Sequence, residues 1–360
     1  LRDDFLALSS MKRKANVRNV GRGVSRSTKA AMAALAAPKI IDAPPILDLG
    51  SGLVEAVVVR RPSSRNKSPY VGDVRLPDGR EAIAHMPSMD MGGKCASGVA
   101  CVVRAATTKK GELVGADALG PHGTPKCEFI LQLIRVEEPE NEEMGGVWVG
   151  AHPSIGERVV ESLIRRGSLE GALGKVSNVQ SQATKVAGTD MRCDFLLTHD
   201  DGEHTTKTVL EVKTVVDTDY NPETPPSRTS CVFFGPTPYS RAGIFPWGRA
   251  QQKGPDGEKV VSARAIKHTR ELAKIARGEL KDEGGTPLRA AICFIVARVD
   301  ASQFRVNYEA CSSFARHLHD ARAAGVNVLA HRIRWGEGEN LGKAFCAGSL
   351  PVTIPEASQS

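Results

Sequence analysis

Met191-Arg192-Cys193-Asp194-Phe195-Leu196-Leu197-Thr198 runs through His199-Asp200-Asp201-Gly202-Glu203-His204 into Thr205-Thr206-Lys207-Thr208-Val209-Leu210-Glu211-Val212-Lys213-Thr214-Val215-Val216. Two runs rich in apolar and β-branched residues flank an Asp-Gly pair, the strongest short-range signal for a hairpin. A two-residue loop at Asp201-Gly202 sets residue 200 opposite 203 and Asp194 opposite Val209. Side chains alternate along a strand, so Asp194, Glu211 and Lys213 share one face, with the two carboxylates diagonal neighbours roughly 7–8 Å apart at the backbone. Cys193, Phe195, Leu197, Leu210 and Val212 take the opposite, apolar face. A slip of one residue would scatter the set.

Two carboxylates and a backbone carbonyl are hard oxygen ligands, suited to Mg²⁺ (or Mn²⁺), which keeps waters for a substrate to displace. Such an ion polarises a phosphodiester and activates water. Lys213 would stand beside it, as a cation for developing charge or an orienter of the attacking water. Asp194, Glu211 and Lys213 are therefore the candidate catalytic residues, with Asp194 and Glu211 the metal ligands. From pattern alone, a surface salt cluster on an ordinary hairpin is the commoner arrangement. The turn from His199 to His204 also gathers ligand types, but its Asp-Gly step reads as a solvated turn.

Outward from the hairpin, helices and strands alternate. Helical spacing in Val159, Leu163 and Ile164 predicts a helix from Ile155 to Arg166, and others cover about Val260 to Arg277 and Tyr308 to Ala324. Strands are expected at Ala290 to Val299 and Val326 to Ile333, and a Pro/Gly-rich insertion at 221–257. This is an α/β domain over 151–355 with a small mixed sheet. The preceding half differs: Val54 to Val59, Tyr70 to Leu76, Glu81 to His85, Val99 to Val103 and Phe129 to Val136 are short strands between turns. They predict a β-barrel or sandwich over 46–137, with 138–150 as a linker. Leu47-Asp48-Leu49-Gly50-Ser51-Gly52 resembles the glycine loop of a methyltransferase. The valines that follow favour a strand where that cofactor loop needs a helix, which makes this the remote alternative.

The 360 residues exceed one average domain, and 41% apolar with 25% charged composition excludes a disordered chain. No run approaches the ~20 apolar residues of a membrane helix, so no membrane role is expected. Eight Lys or Arg and no acid lie between Met11 and Ile41; removing them from the net charge of +7 leaves the remainder near −1. Residues 1–45 thus form a basic leader, either an organelle transit peptide or a disordered tail. The protein is expected in a mitochondrion or chloroplast on the first reading and in the cytoplasm on the second. Eight scattered cysteines without a Cys-x-x-Cys pair argue against zinc, dithiol chemistry and secretion.

Asp194 with Glu211-Val212-Lys213 resembles the PD-(D/E)XK nuclease signature, and the surrounding words resemble the sugar fermentation stimulation protein A (SfsA) family. Arg192-Cys193-Asp194-Phe195 is similar to the family's R-I-D-F, and Leu210 to Thr214 to its I-E-V-K-S. Phe245-Pro246 with Lys267-His268 and Glu271-Leu272 resembles F-P-D … K-H-L-x-E-L, and Ser349-Leu350-Pro351-Val352 its closing S-L-P-V. In the first half, Arg61-Pro62-Ser63-Ser64-Arg65 is similar to R-P-N-R-F, and His85 to Gly93 to H-C-P-N-T-G. The ordered words span about residues 53 to 353. The resemblance implies an OB-like barrel followed by a nuclease-like α/β domain (an α+β or α/β class), and a DNA-binding role linked to sugar metabolism. Departures accompany it. Met86, Ser88 and Met89 replace Cys, Asn and Thr, the F-P-D aspartate falls in a basic region, and a glutamate before R-I-D-F is lost, with Gln182 its nearest match.

The helix from Val260 sets Arg264, Lys267, Arg270, Lys274 and Arg277 around an apolar stripe that includes His268. Arg61, Arg65, Arg192, Arg264, Lys267, His268 and Arg270 are the residues expected at nucleic acid, with a buried structural role the alternative for His268. The leading reading is a Mg²⁺-dependent nuclease acting on DNA in preference to RNA, as monomer or homodimer. A non-catalytic DNA-binding regulator that keeps the fold competes with it.

Overall fold

Short β-branched runs that exhaust their apolar side chains within a few residues cannot form a wide flat sheet, and here they close on themselves. The computed structural model describes residues 44–88, 90–189, 191–226, 231–282 and 284–355; nearly all of the basic leader lies outside them. After β1 (Leu47–Asp48) come β2 (Leu53–Arg60), β3 (Val71–Arg75), β4 (Glu81–His85), β5 (Ala100–Ala105) and β6 (Phe129–Val136). β2 pairs with β3 and β5, β3 with β4, and β5 with β6, all antiparallel. A parallel contact of β4 with β6, Ala84 to Phe129 and His85 to Ile130, shuts the ring. The order is that of an OB barrel. Val58, Val74, Ala84, Val103 and Leu131 fill it. Met86 lies across Gly72, where a Cβ would come within 2.4 Å of the Met86 methyl, so the wide side chain at 86 needs the glycine. Gly50 and Gly52 lead into β2 rather than a helix, which removes the setting a methyltransferase loop requires.

The stretch 138–150 holds a 3-10 turn (Pro139–Met144) and β7 (Val147–Gly150), which adds to the barrel beside β6. Then follow α1 (Ile155–Arg165), α2 (Glu170–Leu173), β8 (Asn178–Ser181), β9 (Phe195–Asp200) and β10 (Thr205–Val215). The Pro/Gly-rich stretch contributes β11 (Ala242–Phe245) and β12 (Gln252–Lys253), and β13 (Lys259–Val260) leads to α3 (Ala263–Ala276). β14 (Leu288–Val296), β15 (Gln303–Val306), α4 (Ser312–Ala323), β16 (Asn327–Trp335), β17 (Lys343–Ser349) and β18 (Val352–Thr353) complete the chain.

A seven-stranded mixed sheet runs in the order β1-β17-β16-β14-β10-β9-β8. Its centre, β10, β14 and β16, is parallel, and β14 reads as an almost unbroken apolar run because both faces are covered. α1 covers one face, setting Val159, Val160 and Leu163 with Phe195, Leu197, Leu210 and Val212. α3 and α4 cover the other, setting Ile266, Leu272, Phe314 and Leu318 with Val209, Ile292 and Phe294. Ser262 starts α3 later than the apolar spacing predicts: its hydroxyl accepts from Ala265 N–H, an N-cap that leaves Val260 in a strand.

The decisive hairpin forms, with a different register. Asp200 pairs with Thr205 and Phe195 with Leu210, so the loop has four residues instead of two. Asp201 Oδ1 accepts from the backbone N–H of both Glu203 and His204, an Asx turn that outcompetes the two-residue Asp-Gly loop. A shift of two keeps the paired side chains on their expected faces, and Asp194, just beyond the last pair, meets Val212 N–H beside Glu211 instead of lying opposite Val209. Cys193 is the exception. It packs with Val209 on the α3 side, because the ladder begins at Phe195 and the chain before it is held instead by Cys193 N–H donating to Ala183.

Barrel and sheet are joined by a buried ion pair, Lys94 with Asp217 at 2.6 Å, the Lys94 ammonium also lying 5.5 Å from the Trp247 ring centre. Burial, the largest single influence, pushes that ammonium's pKa down, but the facing Asp217 carboxylate together with Tyr220 and Glu138 outweighs it and holds the group above the ordinary value.

Candidate functional site

The site is built at the end of the β9–β10 hairpin, where the strands part and backbone groups become available. Asp194 uses one oxygen to accept from Val212 N–H at 2.7 Å, and its own carbonyl accepts from Gln182 N–H at 2.8 Å. Glu211, one residue before Val212, is 2% exposed. Its Oε1 accepts from Lys213 Nζ and from His268 Nδ1, the latter at 2.6 Å. Its Oε2 is buried with no hydrogen-bond partner. A buried carboxylate oxygen left unpaired costs free energy, and such an atom is where a cation or donor belongs.

The two acids hold their protons unequally. Burial first, and then the Glu211 charge, push the Asp194 carboxyl up to about 6, against the Val212 N–H and Lys213. Burial also pushes Glu211 up, yet the His268 hydrogen bond and the Lys213 charge outweigh it and bring the group below its usual value. Pairs of carboxyls driven apart in this way are typical of acid–base and metal sites. The neighbouring Cys193 thiol is pushed up to about 12, chiefly by burial, and so is no nucleophile.

Asp194, Glu211, Lys213 and His268 thus come together. His268 is 6% exposed and bonded to Glu211, which takes it off the basic surface where nucleic acid was expected to meet it. Arg264 and Lys267 are exposed on the same helix, while Arg270 is paired with Asp256 at 3.4 Å. Arg192 is exposed two residues before Asp194. Arg61 and Arg65 belong to the barrel loop after β2. Arg65 is exposed there, whereas Arg61 is tied down, donating to the carbonyls of Pro69, Met86 and Ser88 and to the Cys95 sulfur.

Two participants escaped the reading of the sequence. Gln182, noted only as a stand-in for a lost acid, donates through Nε2 to Glu157 at 2.6 Å, and the Glu157 charge helps to raise Asp194. Glu157 arrives in the first turn of α1 because Gly156 allows the helix to dock on β10: a Cβ there would stand 2.4 Å from Thr214 Oγ1. An acid in a first helical turn is so common that it carried no signal.

The donor set suits a hard divalent cation. Among the described residues no group of three His, Cys, Asp or Glu is placed to hold a metal, so the protein would provide Asp194 and Glu211 and water the remaining ligands, an arrangement Mg²⁺ accepts.

The family model described as "Sugar fermentation stimulation protein RE domain" matches residues 255–339. A sugar fermentation stimulation protein homolog from Syntrophotalea carbinolica is 27% identical over 289 residues, covering 80% of this chain and 93% of that one. One from Synechococcus sp. (strain JA-2-3B'a(2-13)) is 26% identical over 268 residues, covering 73% and 82%. The chain is similar to the sugar fermentation stimulation proteins over most of its length, and the family model matches within its C-terminal half. The solved Pyrococcus furiosus SfsA in complex with Ca²⁺ superposes with a TM-score of 0.57 at 18% identity, covering 87% of this chain and all of that one, and shares the fold.

Proposed function

We propose that the protein is a Mg²⁺-dependent phosphodiesterase acting on nucleic acid, DNA in preference to RNA. The observation that carries this reading is Glu211: a buried carboxylate with one oxygen held by a lysine and a histidine and the other unpartnered, just past the end of the ladder where Asp194 accepts from Val212 N–H. Bound Mg²⁺ would supply Lewis-acid polarisation of the phosphodiester and a more acidic water. Asp194 and Glu211 would hold it through their oxygens. Lys213 sets its amino group against Glu211, where it can stabilise charge developing on the phosphoryl oxygens. Arg264 and Lys267, on the helix that carries His268, would position the phosphate backbone without reading bases. The Ca²⁺ in the solved relative's complex is consistent with an oxygen-ligand site in this fold.

A non-catalytic DNA-binding regulator is favoured by one feature, the amide of Gln182 where the family resemblance implies an acid. Calorimetry addresses the metal site itself. Wild type should take up Mg²⁺ at one site per chain, and the Asp194→Ala/Glu211→Ala double variant should show no such uptake. Identical titrations would remove the site, and with it the enzymatic reading.

A further inference from the structure

We propose that His268 is the positioning residue of this site: it holds Glu211 in the one orientation that turns Oε2 toward a cation. The inference rests on the metal-site reading above and adds to it the residue that sets the geometry.

Three groups fix the Glu211 side chain: the β10 backbone, Lys213 and His268. Lys213 is a weak constraint. Its stem has four rotatable bonds, it lies two residues along the same strand, and its side chain is 17% exposed. His268 differs on each count. It has two side-chain torsions and is 6% exposed, and it rides on α3, whose buried Ala265, Leu272 and Ile275 are packed against the sheet. The helix start is fixed by the Ser262 cap. An ionised carboxylate only accepts, so the 2.6 Å contact assigns the proton to Nδ1. With two donors on Oε1, the carboxylate plane is set and the lone pairs of Oε2 are left over. A ligand fixed through its other oxygen by a buried donor is how proteins prepare a metal site before the ion arrives.

Three substitutions separate positioning from simple core packing. His268→Asn places its amide nitrogen near where Nδ1 sits and keeps the donor. His268→Gln places it near Nε2 instead, and His268→Leu fills the space without a donor. The measurement is Mn²⁺ binding to the full chain, followed by loss of the free-ion electron paramagnetic resonance signal, with thermal melting in EDTA to identify the folded variants. The Asn variant should bind within about threefold of wild type, while Leu and Gln should weaken binding by about 10- to 100-fold, the effect of losing an outer partner of a ligand. A merely structural histidine would lower the melting temperature and leave the Mn²⁺ affinity of the folded variants alike. Wild-type affinity in the Leu variant therefore overturns this inference while leaving the metal site standing. Absence of Mn²⁺ binding by wild type overturns both.

Discussion

Replacing Asp194 by Asn should stabilise the metal-free protein, and the size of the effect follows from the site. The Asp194 carboxyl rises from 3.8 to about 6 on folding, through burial and the Glu211 charge. Two pKa units correspond to about 3 kcal/mol, which solvent screening at this half-buried position reduces to roughly 1.5–2 kcal/mol. The sign is set by proton binding. The folded state holds the proton more tightly than the unfolded chain, so the carboxylate costs nothing below about pH 4, and its penalty grows between about pH 4 and 6 and is nearly constant above that. Asn keeps the volume and an oxygen to accept from Val212 N–H at 2.7 Å, and loses only the charge. Urea denaturation in EDTA should therefore find Asp194→Asn more stable than wild type at pH 8, with the gap narrowing as pH falls from about 6 to 4. Adding Mg²⁺ should reverse the order, because a ligand at 100 times its Kd stabilises the form that binds it by about 2.7 kcal/mol. An Asn variant no more stable than wild type at pH 8 in EDTA would refute the premise that the site holds unfavourable charge in readiness for an ion.

Lys94→Met should cost about 3–5 kcal/mol in thermal or urea denaturation, because it leaves Asp217 buried without its partner, and adding Asp217→Leu should recover most of the loss. A loss below 1 kcal/mol would show that the junction between barrel and sheet does not depend on this pair. Arg264→Ala with Lys267→Ala should weaken nucleic-acid binding and flatten the slope of log K against log salt by about 2, as two phosphate contacts are removed. An unchanged slope would place the phosphate contacts elsewhere.

What was legible in the sequence was local. Alternation in Asp194 to Leu197 and Val209 to Lys213 placed the acids and the lysine on one face, and that survived a register error of two because two is the period of a strand. The error itself came from Asp201, whose side chain captures the amides of Glu203 and His204; nothing in the Asp-Gly step distinguishes that turn from a tighter one. Long-range pairings left no local mark. The β4–β6 contact that closes the barrel joins residues 45 apart at Ala84 and Phe129, and Leu47 and Asp48 pair with Ala344 and Lys343 at the far end of the chain. Polar residues that meet only in three dimensions carry no local mark: nothing in the sequence sets Glu157 apart from any first-turn acid, or marks Lys94 and Asp217 as a buried pair. His268 was placed on the apolar stripe of its helix correctly, but its partner was not visible, since a buried carboxylate on β10 becomes a neighbour only once α3 packs across the sheet.

Cleavage is the most direct test of the proposed activity. Protein lacking residues 1–41, so that the basic leader cannot bind nucleic acid unaided, would be incubated with single- and double-stranded DNA and RNA in Mg²⁺, in Mn²⁺ and in EDTA. Lys213→Met and Asp194→Asn would be run beside wild type. Wild type should cut in the presence of metal and not in EDTA. Asp194→Asn should be inactive, and Lys213→Met should lose most of its rate with little change in substrate affinity, since a group acting mainly in the transition state affects rate more than binding. Wild type that leaves every substrate intact with either metal, or cleavage that survives both substitutions, would contradict the account.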